Sequence, residues 1–129
     1  MRYMLDTDTC SLAIKGNPKV LLKMDEASGE WCISSVTLQE LAMWVLDSKG
    51  SRHEMAVEQF IRAVEVLDFT SSDALATADI ATSNKRNGHN IGHADNQIAA
   101  HAANCGLTLV THNLKHFKPI AGLSSERWA

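Results

Sequence analysis

Three carboxylic acids stand far apart in the chain: Asp6, Glu40 and Asp95. Each lies where an apolar, strand-like run ends or a helix begins, in YMLDTDTC, WCISSVTLQELA and IGHADNQIAAHA. In an open α/β sheet, residues at the C-terminal ends of the strands converge on one crevice. Carboxylates gathered there repel one another unless a cation sits between them. Oxygen-only donor sets select hard divalent ions such as Mg²⁺ or Mn²⁺. An ion held in that way suits chemistry on phosphate esters.

Each acid also has a purely local use. Asp6 follows a buried strand and can close an Asx-turn or cap the next helix; Asp8, beside it, is read as a cap or a supporting acid. Thr37-Leu38-Gln39-Glu40 has the pattern of a capping box, with Thr37 as N-cap and Glu40 reaching back to it. Asp95 in a first helical turn gains from the helix dipole. The helix after it, Gln97-Ile98-Ala99-Ala100-His101-Ala102-Ala103, is built of small and apolar residues that pack closely, and a rigid first turn suits a metal ligand. Asn113 and Thr111 follow the strand in LVTHN; they are candidates to orient a water or a phosphate oxygen, or simply to end the strand. Lys15, Arg86, Lys115 and Lys118 are candidate contacts for a polyanion backbone.

The elements that must position these groups alternate between strand and helix, the pattern of an α/β fold with a largely parallel sheet. Strands are expected over Tyr3–Leu5, Trp31–Ser34, Glu65–Phe69 and Leu107–Val110. A short helix is expected over Cys10–Ile14, stopping near Gly16. Asn17-Pro18 then caps a helix running to about Ala27, since Pro suits the first helical position. Thr37 opens a third helix bearing Leu38, Leu41, Ala42 and Val45 on one face. Further helices are expected over Arg52–Val64, from a Ser72 cap to Arg86, and over Ala94–Asn104. The tail KPIAGLSSERW is mostly irregular, with room for a short edge strand. Met43 and Trp44 read as core.

Composition bounds the remainder. With 129 residues, 45% hydrophobic and 21% charged, the chain fits one globular domain over residues 1–129. No apolar run approaches the roughly 18 residues of a membrane span, and MRYMLDTDT shows no signal-peptide core, so a cytoplasmic location is expected. The three cysteines, Cys10, Cys32 and Cys105, form no C-x-x-C pair and read as reduced core thiols. A net charge of −3 counts mildly against a nucleic-acid partner, unless metal neutralises several acids. Among six histidines, His112/His116 and His89/His93 have the i, i+4 spacing that could chelate zinc, which needs three or four ligands, but no Cys lies at zinc-finger spacing and no H-E-x-x-H occurs. Walker A, G-x-G-x-x-G and nucleophile-elbow motifs are all missing.

Taken jointly, MLDTDTC, ISSVTLQEL, IGHADNQIAAHA, LTLVTHNLKHF and GLSSERW, in that order over nearly the whole length, resemble the PIN-domain toxin ribonucleases of the VapC type. The resemblance implies a PIN-like α/β fold of about four to five strands flanked by helices. It implies an endoribonuclease dependent on Mg²⁺ or Mn²⁺, with Asp6, Glu40 and Asp95 as its acids; on the reading of the residues themselves, Asn113 and Thr111 would hold waters or phosphate oxygens beside them. It implies a structured RNA substrate such as tRNA, a small cognate antitoxin of the VapB type and a homodimer. Three departures stand out. Asp8 replaces a frequent Asn, His93-Ala94 replaces a common Pro-Tyr pair, and Asn113 occupies a place where many PIN domains carry a fourth acid.

Two other classes compete. Asp6-Thr7-Asp8 after a strand resembles the start of the HAD phosphotransferase motif D-x-D-x-T, with Ser34 or Ser35 after a second strand, but Cys10 stands where that motif has Thr. A non-enzymatic α/β interaction module would leave all three acids as helix caps.

Overall fold

The computed structural model describes all residues 1–129. Five strands form one parallel sheet: β1 (Tyr3–Leu5), β2 (Trp31–Ser34), β3 (Val66–Leu67), β4 (Thr108–Val110) and β5 (Ser125–Glu126). Their order is β3-β2-β1-β4-β5, so β1 is central. The chain builds outward on one side of β1 through β2 and β3, then returns to the other side as β4. The reversal lies between β1 and β4, the place where an open α/β sheet leaves a crevice at its carboxyl edge.

Seven helices link the strands: α1 (Thr7–Ile14), α2 (Pro18–Glu26), α3 (Ser35–Asp47), α4 (Glu54–Ala63), α5 (Ser71–Arg86), α6 (His93–Asn104) and α7 (Leu114–Phe117). Alternate strand residues supply two cores, one on each sheet face, as expected of a sheet covered on both sides. Met4, Cys32 and Leu109 pack with Ile98, Ala99 and Ala102 of α6 and with Phe117 and Ile120. Leu5, Ile33 and Val110 pack with Cys10, Val20, Leu41, Val57 and Trp128. Each fully buried Leu, Ile or Val contributes roughly 1.5–3 kcal/mol. Small side chains on α6 allow its close approach, and Ile98 through Ala102 are all buried.

Three helices start at an earlier cap than the sequence expectation, while α4 starts later, at Glu54 rather than Arg52, with no side-chain cap. α1 begins at Thr7 rather than Cys10, because Asp6 caps it: the Thr9 N–H donates to Asp6 Oδ1 at 2.8 Å. Asp8 is then an exposed residue of the first turn and caps nothing. α3 is capped by Ser34, the last residue of β2, which accepts from the Val36 N–H at 3.0 Å. Thr37 is therefore inside the helix, and the Thr37/Glu40 capping box does not form. α5 is capped by Thr70 rather than Ser72, in a capping box with Asp73. The Asn17-Pro18 start of α2 is as expected. β3 is shorter than Glu65–Phe69, a short helix α7 that was not expected precedes the tail, and the tail holds the edge strand β5. Cys10 and Cys32 are buried but Cys105 is exposed, and Met43 lies on the surface rather than in the core.

Candidate active site

Asp6 and Thr111 follow the carboxyl ends of β1 and β4, whereas Glu40 and Asp95 lie on helices, in α3 and α6. Tyr3, Met4 and Leu5 pair with Thr108, Leu109 and Val110. One residue further on, Asp6 and Thr111 leave the two central strands side by side. The Asp6 N–H still donates to the Val110 carbonyl at 2.9 Å, and the Thr9 hydroxyl donates to the same carbonyl at 3.1 Å. Asp6 is therefore fixed by the backbone of two strands and by its own helix. Its side chain is only 4% exposed.

No basic side chain pairs with Asp6; the ion pairs of the chain involve Glu30, Glu26, Asp73 and Asp95. Burial pushes the Asp6 carboxyl above its usual range. Hydrogen bonds from Thr111 and Thr9 oppose that shift and the neighbouring Asp8 charge adds to it. A buried, raised carboxylate with hydroxyl partners and no protein cation is a common mark of a functional site.

Glu40 sits on α3, whose start is set by the Ser34 cap at the end of β2. The Thr7 hydroxyl donates to Glu40 Oε1, and Thr37 Oγ1 lies 3.4 Å from Thr7 Oγ1. The first turn of α1 and the second turn of α3 are thus joined by side chains, and Glu40 faces the Asp6 corner rather than its own helix start. Sequence reasoning missed Thr7; its place directly after Asp6, at a strand end, is the signal for it.

Asp95 is the third residue of α6, half-buried, behind an N-cap, Gly92, that offers no side chain. His116 Nε2 of α7 lies 3.3 Å from Asp95 Oδ2. His116 stands edge-on to Phe117, with ring centroids 5.1 Å apart. His112 and His116 do not act as a pair, since His112 Nδ1 lies 3.4 Å from Arg127 Nη2 instead. Asn113 is exposed; its backbone N–H donates to Thr111 Oγ1 at 3.1 Å, and its amide makes no capping bond on α7.

The oxygens of Asp6, Glu40 and Asp95 do not close to within 4.8 Å of one another; the only three-residue group that tight is Asp73, His101 and Cys105, on α5 and at the end of α6. Carboxylates and hydroxyls are the donor types that fit a hard cation, and one of these carboxylates, Asp6, is buried without a counter-ion. Thiol chemistry has no footing here. Burial pushes the Cys10 thiol up and that of Cys32 to about 12, and a protonated thiol is a poor nucleophile. Of the four candidate cations, Lys15 lies 5.6 Å over the Trp44 ring, while Arg86, Lys115 and Lys118 are exposed.

A sequence profile of the PIN domain matches residues 3–123. The chain is 38% identical to the tRNA(fMet)-specific endonuclease VapC of Salmonella typhimurium, over 99% of this chain and 98% of that protein. It is 34% identical to ribonuclease VapC2 of Rickettsia felis, over 99% and 98%. Among solved structures it is similar to VapBC2 of Rickettsia felis bound to a DNA fragment from their promoter, with a TM-score of 0.91, 32% identity and complete coverage of both chains. It is also similar to DNA-bound VapBC of Salmonella typhimurium, with a TM-score of 0.89, 36% identity and coverage of 100% and 99%.

Proposed function

Because this chain belongs to the PIN-domain family, we propose that it is an endoribonuclease, the toxin half of a toxin–antitoxin pair, working as one domain in the cytoplasm. No helix is long and apolar enough to cross a membrane. The observation that carries the reading is Asp6: a buried carboxylate without a basic partner, at the end of the central strand and beside the reversal of strand order. The relatives named for cleaving tRNA(fMet) make that RNA the first substrate to test. A small antitoxin of the VapB type is the proposed partner, by likeness to the solved VapBC complexes, and a homodimer is the proposed assembly.

Asp6, Glu40 and Asp95 are the oxygen donors that would hold Mg²⁺ or Mn²⁺. Bound there, the cation would offset charge on the scissile phosphate and make water more acidic. The chain's own groups would divide the rest. Thr7 occupies Glu40 Oε1, leaving Oε2 to accept the proton of the attacking water. Thr111 and Thr9 hold the Asp6 carboxylate in place. The amide of Asn113, uncommitted to its own helix, is offered to a phosphate oxygen. Water adds to phosphorus, the P–O bond to the leaving ribose oxygen breaks, and that oxygen takes a proton from solvent.

The aspartyl-phosphate alternative loses ground on Asp8, which is an exposed residue of a helix first turn rather than a loop acid facing Asp6. The test is cleavage of end-labelled tRNA(fMet) by purified protein in Mg²⁺. Wild type should give a defined cut that chelator abolishes and Asp95→Asn loses. Cleavage by Asp95→Asn at the wild-type rate would sink the proposal, and so would a phosphate adduct trapped on Asp6.

A further inference from the structure

The N-terminus of α5 meets the C-terminus of α6, and three side chains of different ligand chemistry converge there. A carboxylate oxygen of Asp73, a ring nitrogen of His101 and Cys105 Sγ all lie within 4.8 Å of one another. His101 and Cys105 are four residues apart, on one face of the last helical turn. Asp73 and His101 are 2% and 1% exposed, while Cys105 opens to solvent.

We propose that Asp73, His101 and Cys105 form a second metal site, for an ion of the zinc class, distinct from the acids at the strand ends. His101 lies about 9 Å along α6 from Asp95, at 1.5 Å per residue. A sulfur and an imidazole beside one carboxylate select zinc-like ions over Mg²⁺ or Ca²⁺. His101 Nε2 stands 3.4 Å from Asp73 Oδ2. A charge-assisted N–H···O bond is shorter, about 2.8 Å, whereas two ligands on a tetrahedral ion with bonds of roughly 2.0–2.1 Å stand about 3.3 Å apart. Three protein ligands and one position open to solvent is a recurrent zinc arrangement.

The surroundings already hold the ligands as outer partners do in zinc sites. His101 Nδ1 lies 2.9 Å from Ser34 Oγ, leaving Nε2 for the metal. The Asn104 amide donates to Asp73 Oδ1 at 2.8 Å, and the Thr70 N–H donates to Asp73 Oδ2 at 2.8 Å. Burial keeps the imidazole neutral by pushing its pKa down, against the pull of the Asp73 and Asp68 charges. On binding, Cys105 releases its thiol proton to solvent, the imidazole proton sits on Nδ1 facing Ser34, and a dication meets two anions. Ser34 also caps α3, the helix of Glu40, so the ion would tie α5 and α6 to the element that positions the proposed base.

The test is a Co²⁺ titration of the metal-stripped full chain in excess Mg²⁺, which occupies the hard oxygen donors. The expected result is one Co²⁺ per chain with a sulfur-to-cobalt charge-transfer band, displaced by equimolar Zn²⁺ and lost in Cys105→Ala, whose exposed position leaves the fold unchanged. Asp73→Asn should keep the band and weaken Co²⁺ binding by about 10–100-fold. A titration with no sulfur band shows a hydrogen-bond network only and overturns the proposal. A band undiminished in Cys105→Ala, arising from Cys10 or Cys32, overturns it as well.

Discussion

The Thr7 hydroxyl donates to Glu40 Oε1 across a separation of 33 residues, joining the first turn of α1 to α3. The bond engages Oε1 and leaves Oε2 without a hydrogen-bond partner. Removing it should cost orientation rather than binding. Thr7→Val is expected to lower kcat on RNA by about 10–100-fold with little change in KM, because small misplacements of a reacting group carry penalties of that size. Thr7→Ser, which keeps the hydroxyl, should stay near wild type. Equal activity in the two variants would remove Thr7 from the mechanism.

Asp6 sets stability against function. Its folded-state pKa lies above the ordinary value, chiefly through burial. The ionised form therefore disfavours folding at neutral pH, and that penalty is relieved as pH falls through the raised pKa. Asp6→Asn removes the charge and keeps the cap on Thr9, since Asn caps as well as Asp. In chelator the variant should unfold at a higher temperature than wild type and cleave no RNA. The difference should narrow as the medium is acidified toward the carboxylate range. A variant less stable than wild type in chelator would mean that the Thr9 and Thr111 hydrogen bonds outweigh burial.

How much of this was legible differs from element to element. β1, β2 and β4 could be read because short apolar runs ended in polar residues, and Asn17-Pro18 marked its helix unambiguously. Three helix starts were misplaced for one reason. Asp6-Thr7-Asp8-Thr9, Ser34-Ser35-Val36-Thr37 and Thr70-Ser71-Ser72-Asp73 each offer several side chains able to cap. At Asp6 and Ser34 the strand ends directly in a cap with no intervening loop, so the earliest candidate wins. That shift removed the capping role from Glu40 and left it free for the site. The meetings of Thr7 with Glu40, His116 with Asp95, and Asp73 with His101 depend on how α1, α7 and α5 dock, and no local pattern encodes docking.

His101 and Asp73 should make the protein acid-labile in two steps. Burial depresses the His101 pKa. The stability it contributes is full above the unfolded value of about 6.5 and is lost as pH falls from there to the folded pKa. At Asp73 burial pushes upward, but the Thr70 and Asn104 hydrogen bonds and the His101 charge prevail and leave the carboxyl below 3.8. Its contribution is present above that value and fades as pH falls through the folded pKa. Urea midpoints measured in chelator from pH 8 to pH 3 should show both declines, and His101→Gln should lose the first. A His101→Gln profile parallel to wild type between pH 7 and pH 5 would contradict the assignment.

Asp73 ends two networks at once, and that ranks two substitutions. Thr70→Ala removes the N-cap of α5, a loss of about 1 kcal/mol. Asp73→Ala removes the other half of the capping box and also the partner of Asn104 and of buried His101. Hydrogen bonds to charged groups are worth about 1.5–3 kcal/mol each, and a buried donor left unpaired adds its desolvation penalty. Asp73→Ala should therefore cost about 2–4 kcal/mol in chelator-treated protein, clearly more than Thr70→Ala. Asp73→Asn, which still accepts from the Thr70 N–H, should fall between the two. Chemical denaturation of the three variants at pH 7.5 measures the order. If Asp73→Ala cost no more than Thr70→Ala, Asp73 would be a helix cap alone, and the contacts to His101 and Asn104 would contribute nothing to folding.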